Sequence, residues 1–109
     1  MKTSELTGRL LDWAVAKCYG YSDYMNTRYL CEHRFSTDHG LGGPIIEREG
    51  IECQVHVIQN SVITSWAASK NWPNNQVSEQ LGPTMLIAAM RCYVANRLGD
   101  EVVIPEELL

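Results

Sequence analysis

Residues 82–99, Gly-Pro-Thr-Met-Leu-Ile-Ala-Ala-Met-Arg-Cys-Tyr-Val-Ala-Asn-Arg-Leu-Gly, read as a helix from both ends at once, and no other stretch limits the fold as strongly. Thr84 stands where an N-cap hydroxyl would accept a first-turn N–H. Gly99 supplies a stop, because only glycine enters the left-handed C′ conformation cheaply. Between them Leu86, Met90, Tyr93 and Arg97, with Ile87 and Val94, recur at helical spacing and predict one broad apolar face. Such a face is stable only under cover, so the remaining elements are expected to be arranged around this helix.

The cover is readable along the chain. A first helix is predicted to start at Thr3 or Thr7 and to end at Gly20, with Leu6, Leu10, Trp13, Ala14 and Cys18 on one side and Arg9, Asp12, Ala16 and Lys17 elsewhere. In residues 27–35, Thr27, Tyr29, Cys31, His33 and Phe35 alternate with Arg28, Leu30, Glu32 and Arg34, the pattern of a half-buried strand with its charges outward. Residues 36–43 read as a glycine-rich loop, followed by a short helical turn that Pro44 opens and Gly50 closes. From Ile51 the period returns to two, and an Asn60-Ser61 turn leads into Val62, Thr64 and Trp66, so residues 51–58 and 62–67 are expected to form a hairpin. Residues 67–82 follow neither period. Residues 102–104 form a short apolar run suited to an edge strand, ahead of a frayed end. The fold class expected is α+β: one domain over residues 1–109, a small antiparallel sheet of about three or four strands, and two helices packed on one face.

Size and charge narrow the function classes. A chain of 109 residues suffices for one core. Residues 1–34 carry five basic against four acidic groups, and residues 35–109 carry four against nine. There is no basic stripe, so nucleic acid is not an expected partner. The start lacks the apolar run of a secretory signal, and no stretch approaches the length of a membrane helix, so a cytoplasmic protein is expected. Four widely spaced cysteines in such a context read as free thiols.

Four stretches carry a family resemblance: residues 1–18, Ser36-Thr37-Asp38, Gly42-Gly43-Pro44-Ile45-Ile46-Glu47-Arg48-Glu49, and Gly82-Pro83-Thr84 onward to Glu107. Together they resemble the NinX-like family of small phage proteins of unknown function. The chain departs from the family pattern at His39, where a tryptophan usually follows Ser-Thr-Asp, and at Met85, where a proline commonly follows the threonine. The resemblance implies a phage accessory protein of the bacterial host cytoplasm and implies no substrate.

Cys31, His33, Cys53 and His56 have zinc-ligand character, but Cys53 and His56 are three apart on a strand and point to opposite faces unless a bulge intervenes. No metal or cofactor is therefore expected. No nucleophile is placed beside a base, which favours a noncatalytic protein over an enzyme. The glycine-rich stretch is the most suggestive: Asp38, His39, Gly42 and Gly43, flanked by Arg34 and Arg48, could offer backbone N–H groups and charge to a small anion. Trp66 and Trp72 are the aromatic candidates for a contact site. The leading expectation is a binding protein that engages a host protein or itself, as in a homodimer. The alternative is a receptor for a small anionic metabolite or nucleotide.

Overall fold

The computed structural model describes residues 1–19, 33–70 and 79–108. A short 3-10 turn, Thr3–Glu5, precedes α1 (Gly8–Tyr19). After it come α2 (His39–Glu49), the strands β1 (Glu52–Gln59), β2 (Val62–Ser69) and β3 (Gln80–Gly82), and α3 (Met85–Leu98). A second 3-10 turn, Glu106–Leu108, closes the chain. The strands form one antiparallel sheet in the order β1-β2-β3, so the α+β class with a three-stranded antiparallel sheet holds.

The helix at residues 82–99 is the centre of the molecule rather than a one-sided cover. Leu86 and every residue from 88 to 95 are buried. The sheet, α1, α2 and the first 3-10 turn all pack against it. The expected single apolar face is thus corrected to burial around nearly the whole circumference, which the small side chains Ala88, Ala89 and Ala95 make possible by letting neighbours approach closely. Its ends close at the expected residues, although Gly99, with ψ at −166°, lies outside the left-handed helical region expected there. Thr84 Oγ1 accepts the Ile87 N–H at 3.1 Å, and Gly99 takes φ +87° while its N–H bonds the Ala95 carbonyl at 3.0 Å. Thr3 Oγ1 donates to the Gly99 carbonyl at 2.7 Å, so the N-terminal turn caps the helix's far end.

Several local expectations change. The strand expected at residues 27–35 lies largely outside the described residues, and its described end, His33 to Phe35, runs through a bend into a turn. Asp12, expected on the outer side of α1, is only 5% exposed, and its Oδ1 accepts the Ser36 N–H at 2.8 Å, pinning that turn. Burial raises the Asp12 pKa against the lowering effect of the Ser36 hydrogen bonds and the charge of Arg34. The run at 102–104 does not join the sheet. A single bridge pairs Lys2 with Glu101, and Met1 and Val102 exchange hydrogen bonds at 2.9 and 2.8 Å, clasping the two chain ends together. β3 falls within residues 67–82. Three residues are too few to show a period of two, which is why the pattern is silent there.

The loop expected over residues 36–43 is helical from His39 onward, with Pro44 inside the helix rather than at its start. Glycines and proline argue locally against this helix, and packing overrides them. Gly42, Ile45 and Glu49 form its buried face. A Cβ on Gly42 would lie 2.6 Å from both Leu86 Cδ1 and the Phe35 carbonyl, so α2 reaches α3 only because residue 42 has no side chain. The helix ends in a Schellman motif, with Gly50 at φ +65° and the Gly50 and Ile51 N–H groups bonding the Glu47 and Ile46 carbonyls.

Adjacent glycines give this packing argument an internal control. Gly42→Ala is expected to destabilise the fold by about 1–3 kcal/mol through overpacking. Gly43→Ala, with nothing beyond its chain neighbours within 4 Å of its added Cβ, is expected to change stability less, the gain in helix propensity being opposed by crowding of the new Cβ against the Pro44 ring. Urea unfolding of the two variants checks the difference, and equal effects would contradict the close approach.

Candidate functional site

The residues singled out in the sequence fall in three places. Asp38 and His39 form the start of α2: Asp38 Oδ1 accepts the Gly40 N–H at 2.8 Å, and its carbonyl accepts those of Leu41 and Gly42 at 3.0 and 2.9 Å. These N–H groups, which a loop would offer to an anion, are thus bonded within the helix. His39 is exposed and lines a small hollow of about 180 Å³ with Thr37, Thr84 and Ile87. Gly42 is buried against α3, and Gly43 is half-buried on the same helix. Arg34 is exposed, and its carbonyl holds the turn by accepting the Thr37 and Asp38 N–H groups at 3.2 and 2.8 Å. Arg48 lies in the last turn of α2, about 13 Å along the axis from His39. Trp66 is half-buried on β2, opposite Val55 and Gly82. Trp72 lies outside the described residues.

Arg48 belongs to a charge cluster that sequence reasoning did not assemble. Its centre is Glu49, whose side chain is 8% exposed. Lys70 Nζ reaches Glu49 Oε1 at 2.8 Å, Arg97 Nη2 reaches the same oxygen at 3.1 Å, and Arg48 Nε reaches Oε2 at 3.2 Å. Arg48 Nη2 also donates to the Tyr93 hydroxyl at 3.3 Å, and the Arg97 guanidinium sits 5.4 Å from the Tyr93 ring centroid. One carboxylate therefore ties the end of α2 to the end of β2 and the last turn of α3. Burial pushes the Glu49 carboxyl up, but the Lys70 and Arg97 hydrogen bonds and charges outweigh it and hold the pKa at about 2. The only legible signal was Glu49 at helical spacing from Gly42 and Ile45, on the face that turns inward.

The three described thiols point away from nucleophilic chemistry. Cys18 and Cys92 are pushed up to about 11, chiefly by burial, and burial raises Cys53 as well. A nucleophilic thiolate needs the opposite shift. Of the cysteine and histidine set weighed for zinc, Cys31 lies outside the described residues. Among the described residues no three His, Cys, Asp or Glu side chains gather as a metal site.

Among the described residues, exposed apolar side chains gather on the distal part of the β1–β2 hairpin. Asn60 and Ser61 adopt φ of 52° and 65°, the paired positive values of a type I′ turn, so the turn was placed correctly from sequence. The facing was not. Val55, Ile58, Val62 and Ile63 are 43%, 61%, 60% and 41% exposed, although a period of two from Ile51 groups Val55 with the buried Ile51 and the half-buried Cys53 and Val57. The register slips at His56 on β1 and is restored at Thr64 on β2, two opposed bulges that re-aim the arm. The signal was present as two adjacent apolar pairs, Val57-Ile58 and Val62-Ile63, which put apolar side chains on both faces of a ribbon.

The Glu49 cluster gives the fold a definite acid response. Its ionised carboxyl is stabilised in the folded state relative to the ordinary unfolded value of about 4.3. The contribution is therefore complete above that value and is lost as pH falls toward about 2. We expect Glu49→Gln to lose the part of the acid sensitivity that lies between about pH 5 and pH 2, on the order of 2–3 kcal/mol in urea unfolding. Asp12, with its raised pKa, acts in the opposite sense in both proteins, so the difference between them isolates Glu49. Parallel pH profiles would refute the cluster's role.

Among the described residues no helix is long and apolar enough to cross a membrane. No curated protein matches the chain. A family profile described as Bacteriophage P22, NinX matches residues 2–97, nearly the whole sequence, and the protein accordingly belongs to that phage family.

Proposed function

We propose that this protein is a noncatalytic accessory factor that acts by binding in the cytoplasm of the phage's bacterial host, and that the β1–β2 arm is its contact surface, occupied by a second copy of the chain. The observation that carries this reading is the composition of the arm. Between Glu52 and Lys70 there is not one charged residue, in a chain that is 20% charged, yet Val55, Ile58, Val62 and Ile63 stand in solvent. Monomeric proteins protect exposed strands with lysine, proline, inward charge or bulges, and of these devices the arm has only the bulges at His56 and Thr64.

The geometry of self-pairing favours a second copy over a charged partner. β1 is an edge strand of the sheet, free on one side among the described residues. In a twofold antiparallel β1–β1 pairing centred on His56, Glu52 of one copy falls opposite Asn60 of the other, so the strand's only acid never meets itself. The net charge of −4 lies outside the arm and does not oppose the contact at close range.

Sedimentation velocity from micromolar to submillimolar concentration is expected to show a reversible dimer. Ile58→Lys together with Val62→Lys should weaken it on the order of a hundredfold or more, because each apolar side chain contributes about 1.5–3 kcal/mol when buried. Thermal stability of the monomer should be unchanged, since both side chains are already exposed. A wild-type chain that stays monomeric at every concentration would overturn the self-association, and a dimer indifferent to both lysines would overturn the assignment to the arm.

A further inference from the structure

The hollow between the first 3-10 turn, β2, β3 and α3 has a volume of about 490 Å³ and is lined by Arg91, Gln80 and Glu79, with the hydroxyls of Ser4 and Ser65. Arg91 is 8% exposed. Its Nε–H donates to the Leu6 carbonyl at 2.9 Å and its Nη1 to the Leu81 carbonyl at 2.7 Å. Among the described residues no carboxylate lies within ion-pair reach of it. A guanidinium has five N–H groups, so three remain without an acceptor among the described residues. A buried cation left in this state is costly, and burial lowers its pKa.

The same hollow contains the complementary deficit. Gln80, which lines it, has its Oε1 buried without a hydrogen-bond partner among the described residues. An orphaned acceptor and an uncompensated cation in one cavity call for a molecule that supplies an anionic acceptor and a donor together. Glu79 decides the charge type. Its carboxylate on the rim opposes a dianion such as phosphate and attracts an ammonium group. The volume suits a ligand of that size.

We propose that this cavity is a binding site for a small zwitterion of the free amino-acid class, its carboxylate on Arg91 and its ammonium between Gln80 Oε1 and Glu79. The site is separate from the apolar arm surface and does not depend on self-association. Arg91 also braces Leu6 and Leu81, so Arg91→Ala risks the fold. Gln80→Leu is the cleaner variant, because removing an orphaned buried acceptor should leave the thermal stability of the free protein equal or higher.

The test is an NMR titration of the full chain with each standard amino acid, reading the Arg91 side-chain Nε–H resonance, with acetate, inorganic phosphate and N-acetyl amino acids as comparison probes. The expected result is saturable binding by at least one free amino acid. Acetate, the N-acetyl form and the Gln80→Leu protein should each bind about tenfold more weakly, one charge-assisted hydrogen bond's worth. Absence of any saturable shift would overturn the site. Tighter binding of phosphate, or of the N-acetyl form that mimics a peptide C-terminus, would overturn the zwitterion. Undiminished binding by Gln80→Leu would overturn the role of that oxygen.

Discussion

Burial of α3 on nearly every side is the constraint from which the rest of the structure follows. A helix enclosed this way meets its backbone hydrogen-bonding needs internally except at its ends, so the ends must be closed by something other than water. Thr84 closes one, and Gly99 with Thr3 closes the other. The second closure requires the N-terminal segment to lie beside the chain leaving α3, which is what the Met1–Val102 clasp fixes. Arg91 extends the same logic to the middle of the helix, where its guanidinium satisfies the carbonyls of Leu6 and Leu81 from two segments remote in sequence. A polar side chain in the core is thus tolerated because it solves a backbone problem for two neighbours at once.

Close approach explains why the neighbours can surround the helix so completely. Two glycines stand where β3 and α2 touch it: a Cβ on Gly82 would lie 2.7 Å from the Ala88 backbone nitrogen, and one on Gly42 would meet Leu86 and Phe35. Neither glycine has a positive φ, so their use is spatial rather than conformational. In sequence both kinds look alike, and this is why residues 36–43 read as a loop. Glycine spacing announces backbone freedom, whereas here it marks contact between packed elements, and Gly42 at i−3 from Ile45 was the one hint that a helical face was being built.

What was legible follows from range. Caps, turns and periods are local, so the helix at residues 82–99, the Asn60-Ser61 turn and the class of the fold could be read directly, and the family motifs at both ends and at residues 42–49 sufficed to place the chain among phage proteins. The candidate site was less legible because its chemistry is assembled across the fold. Arg48 was named but its companions Glu49, Lys70, Tyr93 and Arg97 come from three elements, and no local pattern joins them. Asp12 was misplaced for the same reason, since an acid on a helix reads as solvated until a remote N–H, here that of Ser36, arrives to meet it.

The distribution of charge ties these pieces together. Ion pairs concentrate where three elements converge on Glu49, next to the roots of β1 and β2, and charge is then absent along the whole arm that extends beyond them. The root is held by interactions that tolerate little movement, with one carboxylate bound to three cations. The arm, by contrast, carries two opposed bulges and apolar groups on exposed positions, and a two-stranded ribbon of that kind has little stability of its own. A ribbon fixed at its base and unsupported at its tip gains more from covering its apolar residues than any other part of the molecule does. The core therefore supplies rigidity at the one place from which a contact surface can be presented without disturbing α3.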